Sequence, residues 1–299
     1  MSNIRFKGIM PALITPYDEK QKVKEKTVRA LMDWHISQGV DGFYICGSTG
    51  EGPALKKETR MEMAEIAVDQ AKGRSVIINH IGAPNILDAL ELTEHASKIG
   101  VDCIASLAPT YSFKYTEEEL FDYYKRISDY TSTPVMVYAT AAMGVSNFPR
   151  LMERLIKIPN IIGVKFTIRD YFELRKAKEV NGGDINLING PDETLICGLA
   201  MGADGGIGTT YNLMPDWYVG LYNAFIAGDT KIALGFQSKC NRVTEAIIRF
   251  SKNGAIKGVK AALQLKGFDV GDAVFPSHHY SHDELSVFKK ELESLGIIF

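Results

Sequence analysis

Four cysteines in 299 residues, none in a CxxC spacing, leave no basis for a disulfide framework or a thiolate zinc site. Cys46, Cys103, Cys197 and Cys240 are scattered and read as reduced, mostly buried thiols, with Cys46 set apart only because it adjoins a motif described below. Excess charge of either sign is also missing. The formal net charge is -2 and the pI about 6.3, so no basic field gathers a phosphate backbone, and nucleic acid is not expected as a partner. Long apolar runs are absent too. The stretch PVMVYATAAMGV (134–145) is too short to span a bilayer, and the opening MSNIRFKGIMPAL lacks the apolar centre of a signal peptide. A cytoplasmic protein without membrane association is the expectation. Histidine is sparse: of six, only His80 falls in a strand-like segment, while His278, His279 and His282 of HHYSH precede a helical segment and read as a solvated cap. No metal site is expected.

What is present is a soluble composition, 45% hydrophobic and 23% charged, and a repeated unit. Short runs rich in Val, Ile and Phe alternate with longer stretches whose apolar residues recur every three or four positions. Strand-like runs occur at 8–16, 41–47, 75–82, 102–109, 134–140, 161–167, 185–190 and 205–212. Helical stretches such as VRALMDWHISQG and LDALELTEHASKIG lie between them, several ending in Gly, and Thr116 with Glu119 has capping-box spacing. Strict alternation implies a parallel sheet with right-handed crossovers, and eight repeats close into a (β/α)8 TIM barrel, with an open doubly wound sheet as the competing fold. After the eighth unit come three further helical segments, roughly 231–254, 255–268 and 281–299, the last opened by Ser281 and Glu284. No Pro- or Ser-rich linker intervenes. The expectation is a barrel over 1–230 with a helical C-terminal extension over 231–299, acting as one catalytic unit.

In such a barrel the chemistry collects at the C-terminal ends of the strands. IIGVKFT (161–167) reads as a strand covered on both faces, yet it carries Lys165 near its end. Two readings compete. In one, the stem packs between strand and helix and the head reaches water or an acid. In the other, a poorly solvated cavity disfavours the charged form and a neutral amine becomes a nucleophile toward a carbonyl carbon. Other strand ends bear on the choice. GSTGE (47–51) follows the second strand, and its amides with the Ser48 and Thr49 hydroxyls suit a carboxylate, although an ordinary glycine turn has the same pattern. Tyr138 on the fifth strand is either barrel filling or a proton carrier. GPDE (190–193) places Asp192 and Glu193 at a helix start, where acids also serve as caps. GIGTTYN (206–212) is unusually polar for a barrel strand.

Taken together, GSTGE, the strand-five tyrosine, GVKFT, GPDE and IGTTYN resemble the N-acetylneuraminate lyase and dihydrodipicolinate synthase superfamily of Schiff-base-forming pyruvate lyases, over essentially the whole chain. IGTTYN with the acidic pair in GPDE looks like the N-acetylneuraminate lyase branch. The resemblance implies that Lys165 forms an iminium with the C2 ketone of an open-chain sugar acid, while Ser48 and Thr49 hold its carboxylate. It makes Tyr138 the acid and base at C4, with Tyr111 completing a relay from a neighbouring subunit. Thr167, Gly190, Asp192, Glu193, Gly208 and Thr209 match positions that bind the hydroxylated chain. It further implies small-molecule substrates (sialic acid and pyruvate), no cofactor beyond the lysine imine, and a homo-oligomer, commonly a dimer of dimers.

Three departures stand out. YATAAMGV lacks the proline usual after the tyrosine and has one residue fewer before Gly144. Met143 stands near where dihydrodipicolinate synthases carry an arginine, and without a guanidinium there an aspartate semialdehyde carboxylate loses its clamp. Pro191 and Ile256 replace aromatics, thinning the wall around the sugar. A lyase or dehydratase for another 2-keto-3-deoxy sugar acid, dihydrodipicolinate synthase, and a binding barrel without catalysis remain as alternatives.

Overall fold

The computed structural model describes residues 5–109, 114–252, 254–274 and 276–299. Its eight parallel strands are β1 (Gly8–Pro11), β2 (Gly42–Ile45), β3 (Val76–His80), β4 (Cys103–Leu107), β5 (Val135–Ala139), β6 (Ile161–Phe166), β7 (Asn186–Asn189) and β8 (Gly205–Gly208). Seven helices follow the first seven strands in turn: α1 (Glu25–Ser37), α2 (Lys57–Ala71), α3 (Ile86–Ile99), α4 (Glu117–Asp129), α5 (Phe148–Leu155), α6 (Tyr171–Glu179) and α7 (Leu195–Ala200). The eighth, α8 (Pro215–Ile226), leads into the C-terminal extension of α9 (Thr230–Ser251), α10 (Ala255–Leu265) and α11 (His282–Ser294). The ladder runs β1-β8-β7-β6-β5-β4-β3-β2 and closes where Ala12 bridges Tyr44, with the Leu13 amide donating to the Tyr44 carbonyl at 2.9 Å. This is the closed (β/α)8 barrel that eight strand-helix repeats imply. Both capping boxes form: Thr116 with Glu119 opens α4, and Ser281 with Glu284 opens α11. No described helix is long and apolar enough to cross a membrane.

Alternation along the strands sorts the core into two layers. Outward residues such as Phe43, Ile45, Val137, Val164, Phe166 and Leu187 pack beneath the helices, whereas Met10, Tyr44, Ile78, Met136, Tyr138 and Ile188 fill the barrel. All eight strands are shorter than the sequence runs, β1 and β8 the most. β1 ends at Pro11, after which the chain crosses the rim and Thr15 Oγ1 donates to the Gly50 carbonyl at 2.7 Å. β8 ends at Gly208, because Asp192 captures the next two amides and folds 210–212 into a 3-10 turn.

The N-terminal end of the barrel is closed by structure rather than by chemistry. Phe6 enters the interior cluster, and Asn186 at the start of β7 pairs with both of its backbone groups, accepting from the Phe6 amide at 3.0 Å and donating to the carbonyl at 2.8 Å. Asp204, just before β8, accepts from the Leu187 amide and from Asn186 and forms an ion pair with Lys178 at 2.9 Å. Asn186→Ala would strand buried backbone groups and is expected to lower unfolding free energy by about 2–4 kcal/mol without touching chemistry at the other end. Denaturant unfolding checks this; an unchanged midpoint would contradict it.

Candidate active site

Lys165 points into the barrel. On β6 it sits in register with Tyr138 of β5 and Ile188 of β7, both interior residues, so its side chain enters the barrel. It is 5% exposed. Its Nζ lies 4.3 Å from the ring centroids of both Tyr44 and Tyr138. Half-buried Lys178 meets Asp204 and buried Lys260 meets Glu51, but no described carboxylate pairs with Lys165. A lysine clamped by an acid is fixed as a donor, whereas one facing only π-faces and hydroxyls can present a lone pair to a ligand.

Tyr138 answers to that lysine. Burial drives phenols up, as at Tyr44, Tyr124, Tyr211 and Tyr218. At Tyr138 burial pulls the same way, but the Lys165 charge, the hydroxyls of Ser48 and Thr167, and hydrogen bonding from Lys165 outweigh it, and the pKa falls below the ordinary phenol value. A phenol so poised can take or give a proton beside the amine. Tyr44 escaped the sequence reading, although alternation along GFYI puts it on the interior face. His80 is neutral: burial holds its pKa well below the ordinary value, with the charges of Arg60 and Lys165 adding to the effect. Its Nε2 accepts from the Leu107 amide at 3.1 Å, which leaves Nδ1 to donate to the Cys46 carbonyl at 3.2 Å. It ties the end of β2 to the end of β4.

The GSTGE turn hangs between two non-glycine residues in the left-handed region, Cys46 at φ 57° and Glu51 at φ 58°. Such positions cost about 1–3 kcal/mol each and persist only where the surroundings impose them. At one end the imposition comes from His80 and from Arg60, whose guanidinium donates to the His80 and Gly82 carbonyls at 2.8 and 3.1 Å. The Cys46 thiol, which donates to the Arg60 carbonyl, is pushed up to about 11 by burial and is no nucleophile. Cys103 and Cys240 are buried as well, whereas Cys197 is exposed. Within the turn Ser48 is exposed and Thr49 buried, with Thr49 Oγ1 2.7 Å from Thr209 Oγ1. Two strand ends thereby meet across the mouth.

The remaining polar residues divide by what already occupies them. Asp192 is buried and accepts from the Thr209 amide at 3.2 Å, the Thr210 amide at 2.6 Å and Thr210 Oγ1 at 2.7 Å; burial raises its pKa to about 6 against those bonds. It therefore shapes the turn that bears Thr209. Gly208 must be glycine, since a Cβ would collide with Asp192 and Tyr211, and a Cβ at Gly190 would collide with Thr167. Thr167 Oγ1 is buried with no partner besides the Tyr138 phenol. Glu193 is half-buried and pairs with exposed Arg169 at 3.0 Å. Gln237 and Asn241 of α9, which no motif marks, donate to the Asp192 and Glu193 carbonyls at 3.1 and 3.0 Å. Met143 is buried in the short 3-10 turn after β5. Tyr111 lies outside the described residues. No group of three or more His, Cys, Asp or Glu among the described residues could hold a metal ion.

If Lys165 governs Tyr138, ultraviolet titration of the phenols should show one group ionising below the others in the unaltered enzyme. In Lys165→Met the lysine's charge and hydrogen bond are gone while burial and the Ser48 and Thr167 hydroxyls remain, so that group should move upward; a Tyr138 phenol unmoved by the substitution would contradict the coupling.

The dihydrodipicolinate synthetase family matches residues 5–295. The chain is 34% identical over 289 residues to an N-acetylneuraminate lyase of Rhizobium meliloti, covering 96% of this chain and 94% of that one. It is 35% identical over 260 residues to an N-acetylneuraminate lyase of Citrobacter koseri, covering 86% of each. The solved N-acetylneuraminate lyase of Proteus mirabilis superposes with a TM-score of 0.92 at 26% identity, over 99% of this chain and 100% of that one. With one buried, acid-free lysine at the mouth of a closed barrel and relatives of this kind along its whole length, the chain belongs to the dihydrodipicolinate synthetase family.

Proposed function

We propose that the chain is a class I aldolase, a carbon-carbon lyase that reversibly cleaves N-acetylneuraminate to N-acetylmannosamine and pyruvate. The observation that carries this reading is the Lys165 amine, buried without an acid and set against Tyr138, below the hydroxyls of the barrel mouth. The names of the relatives supply the substrate.

Tyr138 takes the ammonium proton of Lys165, the freed amine attacks C2 of the open-chain sugar acid, and Tyr138 returns the proton to the departing hydroxyl, so that water leaves and an iminium forms beside the Tyr138 phenolate. Ser48, Thr49 and the amides of their turn receive the C1 carboxylate. The Tyr138 phenolate removes the C4 hydroxyl proton. As the C4 carbonyl forms, the C3-C4 bond breaks and its electron pair flows into the iminium, leaving an enamine on Lys165. Protonation at C3 and hydrolysis then release pyruvate and restore the amine. The iminium keeps a positive charge where the ammonium stood, so the charge that lowers the Tyr138 pKa persists through cleavage. Because the iminium is itself the electron sink, the cycle requires neither a metal nor an organic cofactor.

Thr167, Gly190, Asp192, Glu193, Gly208 and Thr209 take the hydroxylated chain, with Thr167 Oγ1 having no other partner besides the Tyr138 phenol. In this reading Asp192 has a double task, since its carboxylate also holds the Thr209 and Thr210 amides. Tyr111 from a neighbouring subunit completes the relay with Ser48 and Tyr138, which makes the working unit a homo-oligomer, a dimer of dimers. The barrel (1–230) and extension (231–299) form one catalytic unit, and the reaction belongs in the cytoplasm.

Pyruvate release from N-acetylneuraminate, compared with 2-keto-3-deoxy sugar acids of other lengths, tests the assignment; faster release from one of the others would replace it. In the same assay Tyr138→Phe should slow cleavage by roughly 100-fold or more, and unaffected cleavage would remove Tyr138 from the mechanism.

A further inference from the structure

We infer that Lys260, on α10 of the C-terminal extension, is a positioning residue for the carboxylate-binding turn, acting through a buried ion pair with Glu51. The inference rests on the Schiff-base reading of Lys165 and deepens it by naming what sets the affinity for the substrate's carboxylate.

Lys260 is 1% exposed, deep on a helix whose other buried positions are apolar or small. Its Nζ donates to Glu51 Oε1 at 2.8 Å and to the Asp272 carbonyl at 2.6 Å, and it stands 4.1 Å from the centroid of the Tyr17 ring. The second carboxylate oxygen accepts from the Val274 amide at 2.6 Å and the Tyr17 hydroxyl at 3.1 Å. Both carboxylate oxygens of Glu51 thus meet donors, two of the three from the C-terminal extension. A buried ion pair gains little for stability over an apolar pair of the same shape, so its presence calls for another reason.

The backbone supplies that reason. Glu51 is the left-handed residue that ends GSTGE, its amide donates to the Ser48 carbonyl at 3.0 Å, and the next amide, Gly52, donates to Gly47 at 3.0 Å. A residue with a Cβ holds this conformation only under constraint. Rotation of Glu51 back to an ordinary conformation would swing Ser48 and Thr49 and break the Thr49 to Thr209 contact across the mouth. The constraint comes from far along the chain, from Lys260, Asp272 and Val274. At the other strained end, Cys46 is held from within the barrel by His80. The extension also carries Gln237 and Asn241, which grip the loop bearing Asp192 and Glu193, so it steadies the mouth at two places.

Stability and positioning are separated by a pair of substitutions. Lys260→Met and Glu51→Gln each leave one buried charge unpaired and lower the melting temperature; the double variant Lys260→Met/Glu51→Gln has none and should recover most of it. The positioning reading differs from a structural one in what happens to pyruvate. The readout is the pyruvate concentration that half-saturates borohydride trapping on Lys165, measured well below the melting temperature. It should rise at least about tenfold in the double variant, with the trapping rate at saturation within about threefold of the unaltered enzyme. Half-saturation returning to the unaltered value along with the melting temperature would overturn the inference and leave a stabilising pair only. An absence of trapping in the unaltered enzyme as well would overturn both this and the reading of Lys165. If a single variant fails to fold, the double variant carries the test alone.

Discussion

A lysine inside a closed barrel, with aromatic rings on two sides and no described carboxylate to hold it, is the constraint around which the rest of the site is arranged. The strand pairing that puts Tyr138 beside Lys165 also sets the phenol's acidity, because the lysine's charge offsets the burial that drives other interior tyrosines upward. An acid within reach would undo both effects. It would fix the amine as a donor and cancel the charge that Tyr138 responds to. Acids are in fact present at the rim, but each is engaged elsewhere: Asp192 with the Thr209 and Thr210 amides, Glu193 with Arg169, and Glu51 with Lys260.

That distribution divides the mouth into groups that can meet a ligand and groups that hold the first set in place. Ser48 is open to solvent and Thr167 Oγ1 has no partner besides the Tyr138 phenol, so both are available. His80, Arg60, Gln237, Asn241 and Lys260 have their bonding capacity turned onto backbone carbonyls or a buried acid. The turn with the most demanding backbone, GSTGE, is the one braced at both ends. A short turn that must aim hydroxyls and amides at a carboxylate cannot also relax locally, and the strain is carried by neighbours that never touch the ligand.

The barrel was legible because its signal is repetitive: eight apolar runs and the helical stretches between them leave little freedom of topology. Strand ends were less so. β8 reads as continuing through TTYN, and only the capture of the Thr209 and Thr210 amides by Asp192 ends it at Gly208. In the site, Lys165 announced itself as a charge in an apolar run, and Ser48, Tyr138 and GPDE stood at strand ends. Tyr44 carried a weaker signal, visible only by alternation along its strand. Lys260 carried a comparable one, a charge within the helical run AIKGVKAALQL, but its partner lies 209 residues away and no local pattern joins them. His80 and Gln237 act on backbone groups, which sequence does not display.

Two buried lysines differ in their partners: Lys260 is neutralised by an acid, and no described acid pairs with Lys165. Borohydride reduction in the presence of pyruvate, followed by peptide mass mapping, reads that difference directly. The added mass should fall on the peptide containing Lys165 and vanish in Lys165→Ala. An adduct that survives this substitution, or that maps to Lys260, would contradict the account.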